Sequence, residues 1–148
     1  SFYKTTEDIF LEAQKKDWDN LHRYWDKHIK KARTPGDFKN AFEIFFERFV
    51  ETLGKDADLR LELSCYLPKC IKYRESNRKR VKQKFYRLIK RGWPGKDEKV
   101  LERQTELVTV LFYGFIDHIV NIPKIERTKI LRDFRNMLNL HLQDRKFF

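Results

Sequence analysis

The chain has 148 residues, 41% of them hydrophobic and 37% charged, and its 33 Lys and Arg against 22 Asp and Glu give a net charge of +11 and a pI near 9.7. That length and balance describe one soluble globular domain with a heavily charged surface. They exclude a disulfide framework, since there are two cysteines, and a membrane span, since no apolar run approaches ~20 residues. Five Gly and four Pro leave few turns, and the composition therefore favours long helices over many short strands.

Five or six helices are predicted and no strand. Thr5 and Asp8 stand in capping-box spacing, with Asp where Glu or Gln is usual, and open a first helix over residues 6–31. Phe10, Trp18, Leu21, Trp25 and Ile29 recur at helical steps, and the basic turn Lys30-Lys31-Ala32-Arg33 suits a helix C-terminus. Thr34 is the expected N-cap of a second helix with Pro35 at its first position. That helix carries Phe38, Ala41, Phe42, Phe45, Phe49 and Leu53 on one face. Ile44, Phe46 and Val50 widen it, and Gly54 is the expected stop.

A third helix is expected from Asp56 or Asp58, carrying Leu59, Leu63, Tyr66, Leu67, Cys70 and Ile71, with a kink or restart at Pro68. Ser76-Asn77 reads as the next boundary. A fourth helix turns Val81, Phe85, Leu88 and Ile89 inward and ends at Gly92-Trp93-Pro94-Gly95. The fifth, over 97–121, has Val100, Leu107, Val108, Leu111, Phe115 and Ile119 as its main stripe and is apolar well beyond it. Pro123 separates a last helix with Ile130, Phe134, Met137 and Leu138 in register. The expected architecture is an all-α bundle of about six helices with antiparallel neighbours.

Thirteen Phe, six Tyr and three Trp are many for this length. Leu21, Trp25, Phe42, Phe45, Phe46, Phe49, Tyr66, Phe85 and Phe112 are candidates to line an apolar cavity for a hydrophobic or aromatic ligand, with Tyr66 and Trp25 supplying polar tips. The plainer alternative is a solid aromatic core. The densest basic stretch runs from Arg74 to Arg91. It reads either as a solvated face or as an anion site, with Arg74, Arg78 and Arg87 the candidates to bind a carboxylate or phosphate. Cys65 and Cys70, five apart, point to different faces as buried thiols. His118 beside Asp117 reads as an inward hydrogen-bonding group. No metal cluster, catalytic triad, phosphate loop or paired carboxylates emerge, so neither a cofactor nor catalysis is expected.

The segment Phe2-Tyr3-Lys4-Thr5-Thr6-Glu7-Asp8-Ile9-Phe10 resembles the junction, in TetR-family regulators, between the recognition helix and the regulatory domain. Thr6 departs from the family's usual Lys. The helix order is similar across nearly the whole chain, and Tyr113-Gly114-Phe115-Ile116-Asp117 resembles a small-residue segment of that family. The resemblance implies that residues 1–5 close a helix-turn-helix head missing from this sequence, and that residues 6–148 form an effector-binding and dimerisation domain of a cytoplasmic repressor. Two copies would pack their last two helices through Leu111, Gly114, Phe115, Ile119, Ile130, Phe134 and Leu138, with DNA bound by the missing head. The alternative from another class is a standalone basic helical module that binds nucleic acid or an acidic protein, and steep salt dependence would mark it.

Overall fold

A computed structural model describes residues 5–52, 65–119 and 122–143 of the chain. They form five helices: α1 (Thr6–Lys31), α2 (Pro35–Thr52), α3 (Pro68–Gly92), α4 (Glu98–Ile119) and α5 (Lys124–Gln143). No strand occurs among the described residues. The helix expected from Asp56 or Asp58 lies largely outside them, as do Gly54 and Ser1–Lys4.

Local chemistry accounts for the helix starts. The Thr5 side chain accepts from Asp8 N at 3.2 Å while Asp8 Oδ2 accepts from Thr5 N at 3.2 Å, a reciprocal capping box. Thr34 and Asp37 repeat the device at α2: Thr34 Oγ1 accepts from Asp37 N, and Asp37 Oδ2 accepts from the Thr34 and Arg33 amides. Of the kink or restart expected at Pro68 the structure has a start: Pro68 opens α3, because a first-turn proline lacks only an N–H that would be unpaired anyway. Leu67, at its N-cap, supplies no side-chain bond, and Glu7 of α1 accepts the Lys69 amide at 2.7 Å instead. Gly95, at φ 84°, makes the turn after α3.

One boundary differs. Ser76-Asn77 does not interrupt α3, which runs unbroken to Gly92. Asn77 is buried there and bonded to another helix, so its polarity serves a tertiary contact rather than a turn.

Side-chain pairings give the helix directions. Trp18 meets Phe49 and Trp25 meets Phe45, so α2 returns antiparallel along α1. Arg74 meets Asp117 and Lys82 meets Glu106, setting α4 antiparallel to α3. Phe115 stacks on Phe134 and Arg127 reaches Ile119, setting α5 antiparallel to α4. Between α1 and α3 the pairs rise together: Asp8 with Lys69, Asp19 with Arg80, Asp26 with Lys84. These two helices are therefore parallel, which the expectation of antiparallel neighbours does not cover.

The core is aromatic. Trp25, Phe42, Phe45, Phe46, Phe85 and Phe112 are fully buried, with Leu88, Ile89 and Ile119 around them. On α4, Thr105 and Thr109 also face inward. Each donates its hydroxyl to the carbonyl four residues earlier, Leu101 and Thr105, at 2.7 Å, which satisfies a polar group inside the bundle.

Candidate functional site

The bundle brings together eight of the nine residues expected to line a cavity. Their rings meet edge-to-face or tilted: Trp25 and Phe45 at 4.3 Å between centroids, Phe45 and Phe112 at 5.0 Å, Phe46 and Phe112 at 5.1 Å, Phe42 and Phe85 at 5.4 Å. Those spacings are the ones at which aromatic rings attract each other in a packed interior. Leu21 and Phe49 are buried beside them. Two expectations need correction. Tyr66 is 70% exposed, because it precedes α3 in a turn rather than riding on a helix face. Trp25 offers no free polar tip, since its indole N–H donates to the Ala41 carbonyl at 3.0 Å.

The basic stretch lies on α3, which has eleven Lys and Arg against one Glu. Helices on both sides neutralise much of it. On the α1 side stand Asp8, Asp19 and Asp26, already paired above. On the α4 side, Arg74 Nη2 lies 2.6 Å from Asp117, Lys82 pairs with Glu106, and Tyr86 donates to Glu98. Arg78 lies over the Tyr113 ring at 5.0 Å, and Arg91 over Phe38 at 5.7 Å. Of the three expected anion-binding arginines, Arg74 and Arg78 are thus engaged within the bundle, and Arg87 is exposed. Burial pulls the Lys84 ammonium below its usual pKa, and its bond to Asp26 partly offsets that. Lys69, bonded to Asp8, holds that carboxyl down at about 2, with Thr5 assisting.

Three residues expected at a dimer interface are used within the chain: Phe115, Ile119 and Phe134 are buried in the core. The reason is rotational phase. Helix α4 is apolar around most of its circumference, and packing against α2, α3 and α5 selects the face with Val108, Phe112, Phe115 and Ile119. Leu111 and Ile130 remain half-buried, and Gly114 is exposed. The Leu138 side chain lies outside the described residues. The outward apolar groups on α4 and α5 are instead Leu107, Val110, Met137 and Leu140, the last 71% exposed. A Cβ built on Gly114 meets nothing within 4 Å, so nothing among the described residues requires glycine there.

His118 is exposed rather than turned inward, and Asp117 is taken by Arg74. Cys70 is buried and its thiol is raised by that burial; Cys65 is exposed and accepts from Arg74 at 3.0 Å, so only one of the two thiols is buried as expected. Among the described residues no group of three His, Cys, Asp or Glu side chains stands close enough to hold a metal, and no helix is long and apolar enough to cross a membrane.

One polar centre escapes sequence reasoning. His22 is fully buried on α1, and its Nε2 lies 2.9 Å from Asn77 Oδ1 on α3. Burial, first, lowers its pKa to about 4, with Lys84 and Arg80 nearby adding to the effect against the Asn77 bond. The imidazole is therefore neutral at pH 7, donates from Nε2, and presents a bare Nδ1. The only sequence signal was helical phase, because His22 falls beside Trp18, Leu21 and Trp25 on the inward stripe.

No protein-family model matches the chain, and comparison with curated proteins and with solved structures finds no match.

Proposed function

We propose that this chain is the dimer-forming, ligand-responsive regulatory part of a TetR-type transcriptional regulator. The observation that carries the reading is the outward face of α4 and α5. Leu107, Val110, Met137 and Leu140 are exposed there, and Gly114 stands in mid-helix with open space above it. Glycine inside a helix costs roughly 0.5–1 kcal/mol relative to alanine. An exposed apolar strip with a backbone that can be closely approached suits a second copy packing the same two helices in a two-fold contact. The helix order and the Thr5–Asp8 junction support the family assignment.

Regulation in this reading uses the pairing of α1 with α3. A ligand bound among the core aromatics favours one relative position of the two helices and thereby the spacing of the DNA-reading heads that α1 would carry. The ligand must bind the two arrangements unequally, since equal affinity shifts nothing.

The test is sedimentation of the chain at micromolar concentration. A species of twice 18.2 kDa, converted to monomer by Gly114→Trp or by Val110→Glu, is the expected result. A wild-type monomer overturns the dimer. The charge of α3 favours one second reading, a basic module that binds nucleic acid directly, with Lys72, Lys79 and Arg87 facing solvent. That reading predicts duplex binding that weakens steeply with salt and is lost when Lys79 and Arg87 become Glu.

A further inference from the structure

The junction of α1, α3 and α4 contains buried polar atoms with no hydrogen-bond partner among the described residues: Gln14 Oε1, His22 Nδ1, Tyr73 Oη and Tyr113 Oη. Register sets them along one seam. Gln14 and His22 are two turns apart on one face of α1, and Tyr73 is one turn before Asn77, which bonds His22. Lys15 lies over the Tyr73 ring at 5.8 Å, setting this stretch of α1 beside Tyr73. Across α3, the pairing of Arg74 with Asp117 and of Arg78 with the Tyr113 ring brings Tyr113 to the same level.

Buried polar groups in folded proteins nearly all find partners, and several orphans in one seam require an explanation. Two are hydroxyls, able to donate, and two are acceptors. Apolar surface adjoins them: Trp18 lies 5.9 Å from His22 and 5.7 Å from Phe49, ring to ring, and Phe112 lies 5.2 Å from Tyr113. Among the described residues the cations beside the seam are engaged elsewhere: Arg74 with Asp117, Arg80 with Asp19, Lys84 with Asp26, Arg78 over the Tyr113 ring and the exposed Lys15 over the Tyr73 ring. We propose that Gln14, His22, Tyr73 and Tyr113 seat the polar end of a small uncharged ligand, an alcohol, phenol or primary amide, whose apolar body lies against Trp18 and the neighbouring core rings. This rests on the regulatory reading above and narrows its effector to neutral molecules. A carboxylate or phosphate entering the seam would have to draw one of these cations from its present partner or stay unpaired, at high desolvation cost. The neutral state of His22 and the raised pKa of Tyr113, both caused first by burial, agree with it.

The experiment titrates the full chain at pH 7 with 2-naphthol and, separately, with 2-naphthoate, following tryptophan fluorescence and heat. The same titrations are run on Tyr73→Phe and Tyr113→Phe. Saturable binding of one 2-naphthol per chain is expected, with 2-naphthoate weaker by about tenfold or more. Each Phe variant should bind 2-naphthol about fivefold to tenfold more weakly while its own Tm, without ligand, stays level or rises, since an orphan hydroxyl costs stability. Absent 2-naphthol binding, equal binding of the two probes, or unweakened binding by both variants overturns the proposal. So does a lowered Tm in both variants, which would show the hydroxyls already bonded within the fold. Sedimentation of the same samples separates the two readings: a dimer that ignores 2-naphthol overturns the seam alone, and a monomer that binds it overturns the dimer alone.

Discussion

His22 is the residue at which sequence, structure and stability are most tightly joined. Its folded-state pKa of about 4 lies below the ordinary 6.5, so between those values the unfolded chain binds more protons than the folded one. Stability contributed by the neutral imidazole is therefore complete at pH 7 and declines as pH falls from about 6.5 towards 4. At pH 5 the loss is about 2 kcal/mol, while most carboxylates remain ionised. Urea unfolding at pH 7 and pH 5 should show that drop in the wild type and a much flatter response in His22→Gln. A flat wild-type response would mean that the imidazole is hydrated. Asn77→Ala removes the bond that His22 makes to α3 and should cost about 1–3 kcal/mol at pH 7, read from the same unfolding curves.

Among the helices, two glycines separate internal from external constraint. Gly92 ends α3, and a Cβ there would stand 3.0–3.2 Å from three atoms of the buried Phe38 side chain. The ring root is held by its own helix, so Gly92→Ala should destabilise by about 1 kcal/mol despite the better helix propensity of alanine. Gly114→Ala meets no neighbouring element among the described residues and should stabilise the monomer by about 0.5–1 kcal/mol. Opposite shifts in Tm for one chemical change, measured under dissociating dilution, are the expected outcome. Helix α3 also depends on α1 for its start: Glu7→Ala removes the acceptor of the Lys69 amide, and far-UV circular dichroism should show lost helix with a stability cost of roughly 0.5–1 kcal/mol.

For the whole molecule, charge and apolar surface divide the exterior. Helix α3 concentrates positive charge, and α1 and α4 line it with acids, so the bundle is zipped by ion pairs across two helix boundaries. Most of these pairs are exposed, and each is worth only up to about 1 kcal/mol. Their effect is greater on register, since a one-turn slip of α3 would set like charges against each other. The apolar strip of α4 and α5 is the other exterior feature. Leu107→Glu combined with Val110→Glu should abolish the dimer with little change in monomer Tm, because neither side chain lies in the core. Sedimentation and thermal unfolding together check it.

Most helix ends of the described residues were legible in the sequence, the Ser76-Asn77 boundary excepted. Thr5 and Thr34 as caps, Pro35 and Pro68 as first-turn residues and Gly92 as an end are local rules that neighbours do not override. The inward stripe of α1 and that of α3 from Val81 to Ile89 were legible because each is a single apolar face, and α2 was legible as a helix buried on a widened face. Tertiary structure alone decided three things. It chose the phase of α4, whose apolar residues nearly encircle it, so Phe115 and Ile119 went inward and Leu107 and Val110 outward. It set α1 parallel to α3, a choice made by acids and bases far apart in sequence. It also assembled the Gln14, His22, Tyr73 and Tyr113 seam, whose members are spread over a hundred residues and carry no shared local pattern.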